Sequence, residues 1–196
     1  MSSMPPDNSG TDSAIVVPVA EAEPAVTACR ARLDPSASLG VPAHVTLLAP
    51  FAPPALITPA MTATLADVIG SVPAFDCVFA RTAWFGEDVL WLAPEPDGPF
   101  RDLIRRLAAA FPDYPPFGGV YAEVIPHLTV GIRDAAAPGS GPGALRAAEA
   151  EMARGLPVST RVSQAWLMTG STEPGSWHPV DELPLAPAGR STDRRG

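Results

Sequence analysis

The chain has 196 residues, 46% of them hydrophobic and only 17% charged, which suits one domain with a real core and argues against global disorder. Its formal net charge is −8 and all 13 basic residues are arginine, so it lacks the broad basic surface that holds long nucleic acid by its backbone. No apolar run is long enough to span a membrane and no signal-type leader is recognised; residues 1–12 and 187–196 read as polar tails around a single domain over 13–186.

In chain order, Ala14–Val19 is an apolar run that reads as a buried strand, with Pro18 marking an edge or an end. Pro24 suits the first turn of a helix reaching Leu33, and Arg30 and Arg32 fall in its last turn. After a loop over 34–40, Ala43–Phe51 alternates as a strand does. Thr58-Pro59 caps a helix that turns Met61, Leu65, Val68 and Ile69 inward. Phe75–Phe85 and Val89–Leu92 form a hairpin around Gly86-Glu87-Asp88. Asp97 and Pro99 open the clearest helix, whose Phe100, Leu103, Ile104, Leu107 and Phe111 keep helical spacing.

Beyond it, Val120–Ile132 reads as a strand region and Ala144–Arg154 as a helix. Pro157–Thr169 and Trp177–Leu185 read as a closing antiparallel pair around the turn Ser171–Ser176. Short hairpin-like links and mixed elements favour an α+β protein with antiparallel sheets. A faint repeat is visible: in each half, a helix leads through a proline-containing loop into a strand that begins with histidine.

Two of the three histidines stand in matching strings, His44-Val45-Thr46-Leu47-Leu48 and His127-Leu128-Thr129-Val130-Gly131. On a strand, positions i and i+2 share a face, so each string sets an imidazole beside a hydroxyl while its apolar neighbours turn to the core. With 12 threonines in 196 residues, two of three histidines would gain a threonine at +2 by chance with a probability of roughly 1%. Neither string supplies two metal ligands, and Glu123 stands over about 13 Å from His127 along a strand, so no metal site is expected. Two imidazoles and two hydroxyls suit acid–base chemistry at a phosphate. Histidine titrates near neutrality, and hydroxyls donate to oxygens where charge gathers.

The segments GVPAHVTLLAPF and IPHLTVGI, with the closing LMTGSTEPGSWHPVDELPL, resemble the two-histidine (2H) phosphoesterase superfamily, specifically its 2′-5′ RNA ligase-like branch. The likeness covers most of residues 14–185. It implies a two-lobed, pseudo-symmetric fold with antiparallel sheets around a central cleft, helices outside, and no metal, ATP or other cofactor. It implies catalytic roles for His44 and His127 and phosphate-binding roles for Thr46 and Thr129, with either histidine able to be the base. The substrates implied are 2′,3′-cyclic phosphates or 2′-5′ linkages of nucleotides or short RNA, with ligation as the reverse reaction.

Arg133, at +6 from His127, and Arg81, on the hairpin, are candidate phosphate contacts. Phe51, Trp84, Phe117 and Tyr121 are candidate base platforms. His178 lacks a partner threonine and reads as structural or exposed. Cys29 and Cys77 make no disulfide framework and read as small buried apolar residues, consistent with a reduced, cytoplasmic interior; a monomer is expected. The expected partner is a small nucleotide or short RNA end bearing a cyclic phosphate. The alternative is a non-catalytic nucleotide-binding or regulatory module that keeps the same cleft.

Overall fold

Seventeen short elements alternate along the described residues, and their order in space is what sets the site. The computed structural model describes residues 11–121, 123–134 and 139–187. The expected tails therefore fall mostly outside the described residues, but Asp12 belongs to the fold: it opens the first strand and pairs with Gly170.

The eight strands among them are β1 (Asp12–Pro18), β2 (His44–Leu48), β3 (Phe75–Phe85), β4 (Val89–Glu95), β5 (Leu128–Ile132), β6 (Val158–Val162), β7 (Gln164–Gly170) and β8 (His178–Pro184). They form one curled antiparallel sheet in the order β6-β3-β4-β5-β2-β1-β7-β8. This order divides into two four-stranded halves, joined where β5 meets β2 through the pair Val45–Leu128. The α+β, two-lobed, pseudo-symmetric arrangement expected from the resemblance is present.

Five α-helices lie among the described residues: α1 (Glu23–Leu33), α2 (Pro35–Ser38), α3 (Pro59–Gly70), α4 (Gly98–Ala110) and α5 (Pro142–Met152). Their starts follow from local chemistry. Pro24 stands in the first turn of α1, the Asp34 carboxylate accepts the Ser36 N–H to open α2, and Thr58 Oγ1 accepts the Met61 N–H at α3. Asp97 differs from expectation. Its side chain caps no N–H of α4 and instead accepts from Arg101 Nε at 2.7 Å.

The helices cross-brace the halves, with α1 lying on β5 and α4 on β2. The face of α4 carrying Phe100, Leu103, Ile104 and Leu107 is buried, and Phe75 meets Phe100 edge to face at 5.1 Å. Cys29 and Cys77 are buried in this same core, and burial pushes both thiols up, Cys77 to about 11.

Two expectations about strands need correction. Pro157–Thr169 is not one strand: only Ser163 separates β6, which pairs with β3 at one edge of the sheet, from β7, which pairs with β1 and β8 near the other. A continuous apolar pattern hid the switch, because both strands turn alternate residues into the same core. Likewise Val120–Ile132 is strand only from Leu128. The stretch before it includes a tight turn at Phe117–Gly119 with three consecutive positive φ values of 52°, 64° and 74°.

Both histidine strands break regular alternation at the same place. On β2, Thr46 pairs with Val16 and Leu48 with Ile15, which leaves Leu47 as an extra residue. On β5, Thr129 pairs with Trp91 and Gly131 with Leu90, which leaves Val130 extra. Each is a β-bulge one residue after the motif threonine, so two consecutive residues turn inward. That is why the strings end in two core positions. At the second of these, Gly131 has no room for a side chain: a Cβ there would lie 2.7 Å from Leu145 Cδ2 and 2.8 Å from Leu33 Cβ. Glycine at this point lets α1 and α5 close on β5.

Candidate active site at the seam between the halves

The Val45–Leu128 pair fixes what its neighbours face. Continuing this antiparallel register by one step places Thr46 opposite His127 and His44 opposite Thr129, all on the face away from the helices. In that register each imidazole faces the threonine of the other half, and the two imidazoles are diagonal neighbours, which a regular sheet sets about 7–8 Å apart between backbones. They are near enough to interact electrostatically.

The two histidines are held alike. His44 Nδ1 donates to the Pro42 carbonyl at 2.7 Å, and His127 Nδ1 donates to the Ile125 carbonyl at 2.7 Å. A carbonyl oxygen can only accept, so both rings carry their proton on Nδ1 and leave Nε2 for chemistry.

Their surroundings differ. Burial pushes His44 down to about 4, and the nearby Arg30 and His127 add to the shift, against the Pro42 hydrogen bond and Asp34. His127 is also lowered by burial, opposed by its Ile125 hydrogen bond. Phe85 stands edge-on to the His127 ring at 4.9 Å and Trp91 at 5.8 Å, and these two aromatics stack on each other at 4.7 Å.

A cleft of about 420 Å³ opens over this seam, the size of a small-molecule site. Thr46, His127 and Thr129 line it, together with an apolar wall of Phe85, Val89, Phe117, Val124, Ile125 and Ile132. Tyr121, 62% exposed, stands at the same cleft and meets the Phe117 ring at 5.9 Å. Phe117 itself holds a left-handed backbone, φ 52°, while its N–H donates to the Ala49 carbonyl at 2.6 Å. A non-glycine residue there costs on the order of 1–3 kcal/mol, which the fold spends on presenting this ring.

Of the residues singled out in the sequence, Thr46, His127, Thr129, Phe117 and Tyr121 line one cleft, and His44 stands two residues before Thr46 on β2, outside that lining but close enough to His127 to interact with it. The fold leaves out the two arginines. Arg133 pairs with Asp88 at 3.1 Å and Arg81 with Glu95 at 3.0 Å. The Val130 bulge explains Arg133: it reverses the alternation, so Ile132 rather than a residue an even number of steps from His127 reaches the cleft. Phe51 is 4% exposed and packs edge-on against Phe111 and Tyr114 in the core. Trp84 donates to Glu149 at 2.8 Å under the Arg146 guanidinium. His178 opens β8 opposite Thr169, away from the cleft lining.

Phe85, Ile125 and Ile132 were not singled out, because their place depends on a bulge and on an irregular approach to β5 that carry no periodic signal. Among the described residues, Glu123 is the only carboxylate in the lining, and Arg101 binds it at 2.5 Å. Among the described residues, too, no group of three or more His, Cys, Asp or Glu side chains is arranged to hold a metal ion.

Residues 17–173 match the family model of the 2′-5′ RNA ligase superfamily. The chain belongs to that superfamily. Its fold is that of LigT-type 2H phosphoesterases. TT0787 of Thermus thermophilus is similar at a TM-score of 0.61 and 19% identity, over 90% of this chain and 98% of that one. The E. coli LigT structure complexed with 3′-AMP is similar at a TM-score of 0.55 and 19% identity, over 90% of this chain and 99% of that one. LigT complexed with phosphate gives a TM-score of 0.53 at 19% identity, over 90% and 98%. By sequence alone, none of the curated proteins matches the chain. No helix among the described residues is long and apolar enough to cross a membrane.

Proposed function

We propose that this protein is a metal-independent phosphodiesterase that opens the 2′,3′-cyclic phosphate of a small nucleotide or short RNA end, with 2′-5′ linkages as related substrates and ligation as the reverse reaction. The observation that carries this reading is the Val45–Leu128 pair at the seam, whose antiparallel register, carried one step either way, sets each histidine opposite the other half's threonine.

The phosphate sits between the two imidazoles. His44, on which burial and, less strongly, the nearby Arg30 disfavour a proton, is the base. Its Nε2 takes a proton from water as the oxygen bonds to phosphorus. The bond from phosphorus to one ribose oxygen breaks, and His127 gives that oxygen the proton on its Nε2. The anionic phosphate favours the protonated form of His127 once bound. Thr46 and Thr129 donate to the non-bridging oxygens. The base of the nucleotide packs on the wall of Phe117 and Tyr121, as aromatic platforms hold bases. E. coli LigT has been seen with 3′-AMP, NADP+ and ATP, which supports a small nucleotide as the ligand class here.

The test follows ring opening of adenosine 2′,3′-cyclic phosphate by phosphorus NMR in the presence of EDTA. Wild type is expected to produce a single phosphomonoester, and His44→Ala and His127→Ala to lose about 10²–10⁴ in kcat. Tight binding of the cyclic nucleotide with no turnover would establish the binding-module alternative instead.

A further inference from the structure

The two histidines share a carbonyl partner two residues upstream, yet the peptide groups that supply those carbonyls differ. The Pro42 carbonyl belongs to the peptide whose N–H is that of Ala43, and this N–H donates to Glu23 Oε1 at 2.6 Å. The chain of contacts therefore runs from the Glu23 carboxylate, through one planar peptide, to His44 Nδ1 at 2.7 Å. The Ile125 carbonyl belongs to the peptide before Pro126, which has no N–H to offer.

The Glu23 carboxylate is itself fixed. Thr27 Oγ1 donates to its other oxygen, and the Arg30 guanidinium stands 3.9 Å away. Arg30, 3% exposed, also donates to the Val41 carbonyl at 3.1 Å and pairs with Asp34 at 2.9 Å. The Ala43 carbonyl accepts the Val19 N–H at 2.8 Å. Every residue from 41 to 43 thus has a backbone group anchored, and the free rotation left to the Pro42–Ala43 plane is small.

We propose that Glu23 is a positioning residue for His44: it orients and polarises the Pro42–Ala43 peptide so that its carbonyl keeps the imidazole proton on Nδ1 and the Nε2 lone pair toward the cleft. The proposal deepens the reading of His44 as the base and rests on it. It gives the base a carboxylate orienter, with a peptide group inserted between carboxylate and ring. Hydrogen bonds in such a row strengthen one another, because a carboxylate pulling on the N–H makes the carbonyl of the same peptide a better acceptor. The charged groups around His44 are Arg30 and Glu23 from α1, Asp34 from the following loop, and His127 from across the seam.

The experiment reads imidazole tautomers by nitrogen-15 NMR in wild type, Glu23→Ala and Glu23→Gln, with kcat and KM for adenosine 2′,3′-cyclic phosphate measured beside them. Glu23 is 35% exposed in its side chain, so its truncation leaves the core intact, and thermal melts check this. In Glu23→Ala, His44 is expected to change from a single Nδ1–H form to a mixture, with His127 unchanged as an internal control. The expected loss in kcat is about tenfold, the factor for one charge-assisted hydrogen bond, with little change in KM. Glu23→Gln, whose amide oxygen can still accept from Ala43, is expected to restore most of both. A folded Glu23→Ala protein whose His44 stays wholly in the Nδ1–H form would overturn the proposal. The tautomer reading decides this even if the cyclic nucleotide proves not to be a substrate.

Discussion

Val45 and Leu128 form the pair through which the two halves of the sheet are joined, and the four polar residues of the candidate site are their immediate chain neighbours. The contact that closes the fold and the contact that assembles the site are therefore the same. Val45 and Leu128 are both fully buried, so register at this point is fixed by the core. A slip by one residue would bury the imidazoles and expose the apolar pair.

Removing either hydroxyl while keeping its shape isolates the role given to the threonines. Thr46→Val and Thr129→Val are each expected to lower kcat for cyclic nucleotide opening by about 10²-fold, the effect of losing one donor to a developing charge. Circular dichroism and melting temperature should stay close to wild type, since valine suits a strand.

The depressed histidines set the pH response of kcat/KM. His44 must be neutral to act as base, and it loses its proton at about 4. His127 must be protonated to act as acid, and burial places its titration below the ordinary histidine value. The profile for free enzyme should be a bell with its maximum on the acid side of about 6.5. A maximum well above neutrality would contradict these roles.

Stability carries the same signature. His44 titrates near 6.5 in the unfolded chain, a general histidine value, and at about 4 in the fold. The fold therefore favours the neutral ring, and its contribution is complete above about 6.5 and is lost as pH falls toward 4. Urea unfolding at several pH values in this window should show a shallower decline for His44→Gln than for wild type.

Gly131 tests how tightly the second motif is seated. A methyl group there meets Leu145 and Leu33 at less than 3 Å. Gly131→Ala is expected to cost about 1–3 kcal/mol by overpacking the contact of α1 and α5 with β5. The melting temperature measures it.

At the rim, Tyr121→Ala should raise KM for a cyclic nucleotide with a smaller change in kcat, because the proposed binding mode sets this ring against the base and not the reacting phosphate. A loss of about 1 kcal/mol, near fivefold in KM, fits removal of one stacking partner. An unchanged KM would remove Tyr121 from the site.

Much of the architecture was legible in the sequence because it rests on local rules. The α4 periodicity, the Thr58-Pro59 start of α3 and the hairpin around Gly86 each follow from residue chemistry at short range. The paired strings His44–Leu48 and His127–Gly131 were legible for the same reason, as side-chain identity at fixed spacing. What depends on distant partners was not. The split at Ser163 depends on which sheet edge each strand joins, and the Val130 bulge, which turns Arg133 away and Ile132 in, depends on pairing with β4. Glu23 is legible only once Ala43 lies beside it.

In the proposed reaction His44 and His127 act as one acid–base pair on one phosphate. A double-mutant cycle on kcat for adenosine 2′,3′-cyclic phosphate, in EDTA, tests it most directly. His44→Ala/His127→Ala is expected to be about as slow as the slower single variant, as for residues that work as a unit. Losses that multiply across the two positions, or variants that turn over at the wild-type rate, would contradict it.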